Sequence, residues 1–242
     1  MNVPSRVLAA VVLTAVAVSV VACGGGKSST ATSDLYATQT AQSSSASTTP
    51  ASGATQASST PAQTFGQACQ KSTEKSWASA PPRIIDTKKT YTATITLAKG
   101  GDIVLELFSD VPVTTNNFVF LACKGFYDGL TFHRVLTGFM AQGGDPLGTG
   151  TGGPGYTIPD ESDDGHNFSK PGAISMAKAG PNTTGSQFFI TYSQQSRLDA
   201  DFTVFGKVTK GMDVLEKITP RDPDQSPTFT GDAIATITIS EK

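Results

Sequence analysis

Two short segments that alternate apolar and polar side chains constrain the fold of this chain most strongly. Tyr91 to Leu97 reads YTATITL and Ile103 to Phe108 reads IVLELF, and both have the two-residue period of a half-buried strand. Residues 99–102 (KGGD) lie between them and are typical of a tight turn. We therefore predict an antiparallel β-hairpin near the start of the folded domain.

The rest of the domain consists of short apolar runs separated by Gly, Pro and Asp. The further predicted strands are Thr131–Val135, Phe139–Gln142, Ala173–Met176, Gln187–Thr191, Thr203–Val208 and Ile234–Ile239. One helix is predicted from Pro112 to a stop at Gly125, and a second, shorter one from Met212 to Ile218. Because strands do not alternate with long helices, this pattern excludes a parallel α/β sheet and favours a barrel or a sandwich.

The first 22 residues are typical of a targeting segment. Arg6 supplies a positive charge, and the apolar run from Val7 to Ala22 is too short for a membrane span. Cys23 follows directly, and this ending resembles the bacterial lipoprotein processing signal, in which the cysteine is lipid-modified. The alternative is an ordinary cleavable signal peptide. The lipoprotein interpretation predicts a lipid anchor at the extracytoplasmic face of the cell membrane.

The remaining chain divides into three parts. Residues 23–64 are rich in Ser and Thr, cannot bury a core, and are predicted to be a disordered linker. Residues 65–82 form a transition segment, in which Cys69 and Trp77 are candidates to pack onto the domain. Residues 83–242 form the folded domain.

Two cysteines remain if Cys23 carries lipid. An exported protein meets an oxidising environment, where Cys69 and Cys123 could pair and staple the N-terminal segment to the domain. The alternative is two unpaired thiols.

Composition excludes several classes of function. The net charge of −2 argues against a nucleic-acid partner. With two histidines and no Cys-x-x-Cys, the chain offers no metal site, and we expect no cofactor. The glycines from Gly148 to Gly153 match a dinucleotide pattern, but Pro154 follows, so a loop is predicted. The acidic residues from Asp160 to Asp164 are interpreted as a solvated turn, and a hydrolase would lack a nucleophile.

The segment Phe132–Asp145 (FHRVLTGFMAQGGD) combines one arginine and one glutamine with large apolar side chains. Such a set can grip and polarise a neutral group, but it cannot easily break a bond. Together with Ser175–Phe189 (SMAKAGPNTTGSQFF), it resembles the cyclophilin family of peptidyl-prolyl cis-trans isomerases. The resemblance covers roughly residues 90–239. It implies a mainly β fold, a closed eight-stranded antiparallel β-barrel capped by two α-helices.

The resemblance also implies roles for individual residues, with Arg134 as the catalytic residue. The implied residues around the proline ring of the substrate are Phe139, Met140, Phe189 and Leu198, with Phe202 as an aromatic wall and His133 at the periphery. Gln142 and Gln187 would bond to the substrate backbone or orient Arg134. The peptide groove would be lined by Ala177, Lys178 and Ala179. An alternative for Phe139, Met140 and Phe189 is plain barrel core. Eukaryotic members often have Trp where Arg197 stands and His where Phe202 stands, which puts cyclosporin binding in doubt.

The implied activity is isomerisation of X-Pro bonds in proline-containing segments of exported proteins, carried out by a monomer. Arg134 would hydrogen-bond the prolyl nitrogen in the twisted transition state. The alternative function is a module of the cell envelope that binds proline-containing segments without turning them over.

Overall fold

The structure is a computed structural model that describes residues 65–163, 165–225 and 227–242. The predicted signal segment, the lipidation site Cys23 and the linker lie outside the described residues. Within the described part of the chain, none of the helices has the length and apolar character needed to cross a membrane.

Eight strands and a few short helices make up the described residues. The strands are β1 (Tyr91–Leu97), β2 (Asp102–Leu107), β3 (Arg134–Leu136), β4 (Met140–Gly143), β5 (Ala173–Met176), β6 (Phe188–Thr191), β7 (Val204–Lys210) and β8 (Ile234–Glu241). The helices are α1 (Phe65–Ala68), α2 (Pro112–Cys123) and α3 (Met212–Leu215), with 3-10 turns at Ser196–Leu198 and Pro223–Gln225. Each predicted strand is present, and most ends shift by at most two residues, but β3 begins three residues later than predicted. The second predicted helix ends at Leu215.

The strands form one antiparallel sheet in the order β3-β4-β6-β5-β7-β2-β1-β8. The predicted closure into a barrel is wrong, since the edge strands β3 and β8 share no ladder. On the outer side of β3, Val135 instead exchanges both backbone hydrogen bonds with Arg221, at 2.7 and 2.9 Å. A strand of three residues that is already paired in this way has no groups left for β8. Before β3 begins, residues 129–132 bond to residues 232–234 through the bridge between Thr131 and Ala233 and three further backbone hydrogen bonds.

Apolar side chains pack on both faces of the sheet. The larger cluster lies between the sheet and α2, where the ring of Phe118 contacts Phe188 and Phe205 at 5.6 and 5.1 Å between centroids. A second, smaller cluster around Met140 and Phe189 is separate from it. Strands β5 and β6 are therefore buried on both faces, which explains their nearly continuous apolar sequences.

Helix α2 is buried on all sides from Thr114 to Cys123. One side of the helix packs against the sheet. The opposite side is covered by residues 65–90, which we call the N-terminal strap. The Trp77 ring lies 5.3 Å from that of Phe120, and Cys69 forms a disulfide with Cys123 across a Cα–Cα distance of 4.4 Å.

Polar contacts complete the attachment of the strap. The side chain of Asn116 in α2 accepts a hydrogen bond from Ile84 N at 2.7 Å and donates one to Pro82 O at 3.1 Å. Further along, Trp77 N donates to Pro154 O at 2.8 Å. The strap therefore holds α2 from outside and also reaches the loop that follows residue 150.

The start of α2 is capped by a distant carboxylate. Glu161 accepts hydrogen bonds from Val113 N and Thr114 N at 3.1 and 2.8 Å, which satisfies amides that the helix cannot bond itself. The interpretation of residues 160–164 as a solvated turn is therefore wrong for Glu161. It is also wrong for Asp160, which forms an ion pair with Lys178.

Candidate active site

The register of three strands places four predicted site residues on one face of the sheet. Arg134 in β3 lies opposite Gln142 in β4, and Gln142 lies opposite Phe189 in β6. Directly opposed residues in antiparallel strands point to the same face. Met140, two residues before Gln142, shares that face because side chains alternate along a strand.

The second apolar cluster lies beside Arg134 and is the candidate pocket for an apolar ring. Met140 and Phe189 are buried, at 1% and 5% exposure, while Phe139, Leu198 and Phe202 are partly exposed and pack over them. The cluster is on the face opposite the main core, as a pocket for an apolar ring requires. Phe139, Met140 and Phe189 are thus not part of the core that packs against α2.

Arg134 stands at the edge of this pocket. It is half-buried, and its guanidinium carbon lies 5.9 Å from the centroid of the Phe139 ring. Among the described residues no carboxylate forms an ion pair with it. Its N–H groups can therefore donate to a ligand held in the pocket.

A groove of about 570 Å³ continues from the pocket. Five predicted site residues line it: Gln142, Ala177, Lys178, Ala179 and Gln187. The opposite wall is the glycine-rich segment from Gly150 to Pro154, together with Tyr156. The dimensions suit an extended peptide whose backbone can bond to amides and carbonyls on both sides.

The two glutamines are held in a chain of hydrogen bonds. Gln142 Nε2 donates to Gln187 Oε1 at 2.9 Å, and Gln187 Nε2 donates to the carbonyls of Gly150 and Gly152 at 3.0 and 2.9 Å. These hydrogen bonds fix the position of the glycine-rich groove wall relative to β4. Because Gln142 is the cross-strand neighbour of Arg134, the wall and the arginine share one support.

Asp145 organises the same loop, and sequence reasoning did not select it as a site residue. Its buried carboxylate accepts hydrogen bonds from the backbone of Leu147, Thr149 and Gly150. Burial favours a raised pKa for Asp145, but these hydrogen bonds hold its pKa below the usual value. A Cβ on Gly152 would lie 2.1 Å from Asp145 Oδ1, so that position requires glycine. An aspartate directly before a glycine-rich loop was the available signal.

His133 was predicted to be a peripheral substrate contact, and the structure corrects this. The residue is 1% exposed, because it precedes Arg134 and points to the opposite face of the sheet, as Val135 does. Neither ring nitrogen has a partner of normal hydrogen-bond geometry among the described residues. Burial lowers the pKa of His133, with Arg221 and Arg134 acting in the same direction and Asp145 opposing them.

Lys178 lines the groove, but its ammonium group is engaged away from it. Lys178 Nζ donates to Asp160 at 2.6 Å, and both side chains are only 14% exposed. Burial favours a raised pKa for Asp160, but hydrogen bonds from Lys178, Asn182 and Thr184 hold it below its ordinary value. The same ammonium lies 5.6 Å from the Phe202 ring, so Phe202 walls the pocket on this side.

The described residues contain no group of three or more His, Cys, Asp or Glu side chains that could hold a metal ion.

An antiparallel sheet that carries an apolar pocket, an adjacent arginine and a peptide-sized groove defines a peptide-binding protein. Comparison with known proteins assigns it more closely. Residues 92–239 match the family described as cyclophilin type peptidyl-prolyl cis-trans isomerase. The chain belongs to this family and is an isomerase of that class.

Individual relatives agree with this assignment. The chain is 52% identical over 145 residues to a peptidyl-prolyl cis-trans isomerase of Helicobacter pylori, covering 59% of this chain and 88% of the relative. It is 51% identical over 127 residues to peptidyl-prolyl cis-trans isomerase B of Bacillus subtilis, covering 52% and 89%. A crystal structure of a cyclophilin type isomerase from Cryptosporidium parvum, obtained in the presence of the dipeptide Ala-Pro, is also similar. There the TM-score is 0.56 with 38% identity, and the match covers 62% of this chain and 99% of that one.

Proposed function

We propose that this isomerase accelerates rotation about X-Pro bonds by donating a hydrogen bond from Arg134 to the prolyl nitrogen in the twisted transition state. The observation that carries the proposal is the position of Arg134. It stands half-buried on the same sheet face as Phe189 and Met140, beside the second apolar cluster.

The chemistry of the peptide bond explains why an arginine suffices. Rotation has a barrier of about 18–20 kcal/mol because the nitrogen lone pair is delocalised into the carbonyl group. When the bond twists, the lone pair returns to the nitrogen, which becomes basic and accepts a hydrogen bond. The planar ground state offers no such acceptor, so the interaction stabilises the transition state selectively. No bond is broken, and no nucleophile is needed.

The surroundings of Arg134 strengthen this interaction. Phe139, Leu198 and Phe202 form apolar walls, and removing water from a charged donor increases the strength of its hydrogen bonds. The groove lined by Gln142, Gln187 and Ala177–Ala179 would hold the backbone on one side of the proline. Rotation about the X-Pro bond then moves only the part of the peptide on the other side of that bond.

We further propose that the substrates are proline-containing segments of exported proteins and that Cys23 anchors the enzyme at the extracytoplasmic face of the membrane. The sequence around Cys23 supports this, and so does the Cys69–Cys123 disulfide, which is the kind of bond that persists in oxidising compartments. A Cys23→Ser variant is expected to move from the membrane fraction to the soluble fraction. Unchanged membrane association would contradict the lipid anchor.

The mechanism is tested with a short X-Pro peptide and purified protein. Arg134→Ala is expected to lower kcat/KM by about 100-fold or more, the usual loss when one donor to a transition state is removed. Arg83→Ala, which removes an exposed arginine outside the groove, is the matched control and is expected to keep the wild-type rate. Equal rates for wild type and Arg134→Ala would overturn the mechanism.

A further inference from the structure

A second arginine lies at the proposed proline pocket. The guanidinium carbon of Arg197 is 4.6 Å from the centroid of the Phe139 ring, closer than that of Arg134 at 5.9 Å. Phe139 is therefore in contact range of two cations. The 3-10 turn Ser196–Leu198 sets this position, because Leu198 packs onto the apolar cluster while Arg197 remains exposed.

Asp199 and Asp201 follow Arg197 in the chain, but neither forms an ion pair with it. Within residues 65–163, 165–225 and 227–242, Arg197 forms no ion pair, and Arg134 forms none either. Asp199, two residues further on, accepts a hydrogen bond from Phe168 N at 2.8 Å. The third cation at the pocket, Lys178, is already paired with Asp160. The rim of the pocket thus presents two guanidinium groups that can form ion pairs with a negatively charged group of a ligand.

We propose that Arg197 is a specificity-determining residue that favours substrates with a carboxylate next to the proline. The proposal rests on the peptide binding described under the proposed function. A guanidinium offers paired N–H donors that match the two oxygens of a carboxylate. Stacking on Phe139 limits the motion of the Arg197 side chain, so its donors are held beside the pocket.

The size of the effect follows from the exposure of the residue. Ion pairs in contact with water are screened, and they change affinity by about two- to five-fold. We expect this preference at low salt and expect it to weaken as the ionic strength rises, because the Debye length falls to about 8 Å at 0.15 M. The preference acts on kcat/KM and adds to the contribution of Arg134.

The test uses blocked tetrapeptides Ala-Xaa-Pro-Phe and Ala-Ala-Pro-Xaa, in which Xaa is either Glu or Gln. Blocked ends leave the glutamate as the only carboxylate, and the Glu/Gln ratio of kcat/KM is the readout. For wild type we expect a ratio of about two to five in at least one of the two positions. Arg197→Gln is expected to bring that ratio close to one, whereas Arg83→Gln keeps it.

The ratio separates this inference from the proposed function. Since each variant is compared with itself on two peptides, a partial loss of folded protein cancels. A wild-type ratio near one in both positions, or a ratio that Arg197→Gln leaves unchanged, would overturn the role of Arg197. If wild-type protein accelerates neither Gln peptide, the proposed function itself fails, and the role of Arg197 fails with it.

Discussion

The groove face and the strap side of the molecule are held together in different ways. On the groove face, a few hydrogen bonds among Gln142, Gln187 and the loop after Asp145 position exposed groups. On the strap side, a disulfide and stacked aromatic rings clamp the buried helix α2. The family match begins at residue 92, so it includes the groove and leaves out the strap.

The candidate site and the added cross-links therefore lie in separate parts of the chain. The register of β3, β4 and β6 places Arg134, Gln142 and Phe189 together, and loops outside these strands complete the groove. The strap adds cross-links to a helix on the opposite face. We therefore expect changes on the strap side to alter the free energy of unfolding and changes in the groove to alter kcat/KM. The hydrogen bond from Trp77 to Pro154 is the place where the two regions meet.

Removal of the disulfide is the strongest test of this separation. The Cys69→Ala/Cys123→Ala variant opens a link with a sequence separation of 54. A link of that span is expected to contribute about 2–4 kcal/mol to the free energy of unfolding. Urea denaturation measures the loss, and reduction of the wild-type protein should reproduce it. A fall of kcat/KM in proportion to stability, under conditions where the variant is folded, would show that the regions are coupled.

The distant cap of α2 gives a smaller effect on the same side of the molecule. Glu161→Gln keeps the shape of the side chain but removes a charge from the helix N-terminus, and we expect a loss of about 1 kcal/mol in the free energy of unfolding. Asp163→Asn changes an exposed carboxylate in the same loop and is expected to shift stability by less than about 0.5 kcal/mol. Equal effects of the two variants would remove the assigned role of Glu161.

The buried histidine predicts a pH dependence of stability. Burial lowers the pKa of His133, so below its unfolded pKa of about 6.5 the unfolded chain binds a proton that the native state resists. Stability is therefore expected to fall as pH decreases from about 7 to 5. Asp145 and Asp160, whose pKa values are lowered, lose their contribution only below about pH 4.

His133→Phe tests this dependence with the smallest expected change at neutral pH. An apolar ring replaces two nitrogens that lack normal hydrogen-bond partners, so the free energy of unfolding at pH 7.5 is expected to change by less than about 1 kcal/mol. The slope between pH 7 and 5 should be flatter in His133→Phe than in the wild-type protein. A slope that persists in His133→Phe would assign it to other groups.

Sequence reasoning located the strands well, because alternating and continuous apolar runs report burial directly. Tyr91–Leu97 and Ala173–Met176 were predicted with the bounds that the structure has. Closure of the barrel was not predictable from these patterns. It depends on whether β3 pairs with β8 or with the segment around Arg221, and those partners are far apart in sequence.

The sequence indicated which residues would lie near one another, but it did not indicate the burial or the hydrogen-bond partners of each side chain. Arg134, Gln142 and Phe189 lie together as expected, since their strands are neighbours. The burial of His133, the hydrogen bonds of Asp145 and the capping by Glu161 depend on which face or which distant segment each side chain meets. Long-range contacts of this kind leave no local pattern in the sequence.

We propose that Arg134 acts in the transition state and contributes little to binding the ground state. The most direct test measures, for wild type and Arg134→Ala, the Kd of a short X-Pro peptide and the rate of its isomerisation on the enzyme by NMR exchange. We expect the rate to fall by about 100-fold or more while Kd changes by less than about three-fold. A Kd that rises in proportion to the loss of activity, with the on-enzyme rate unchanged, would contradict the claim.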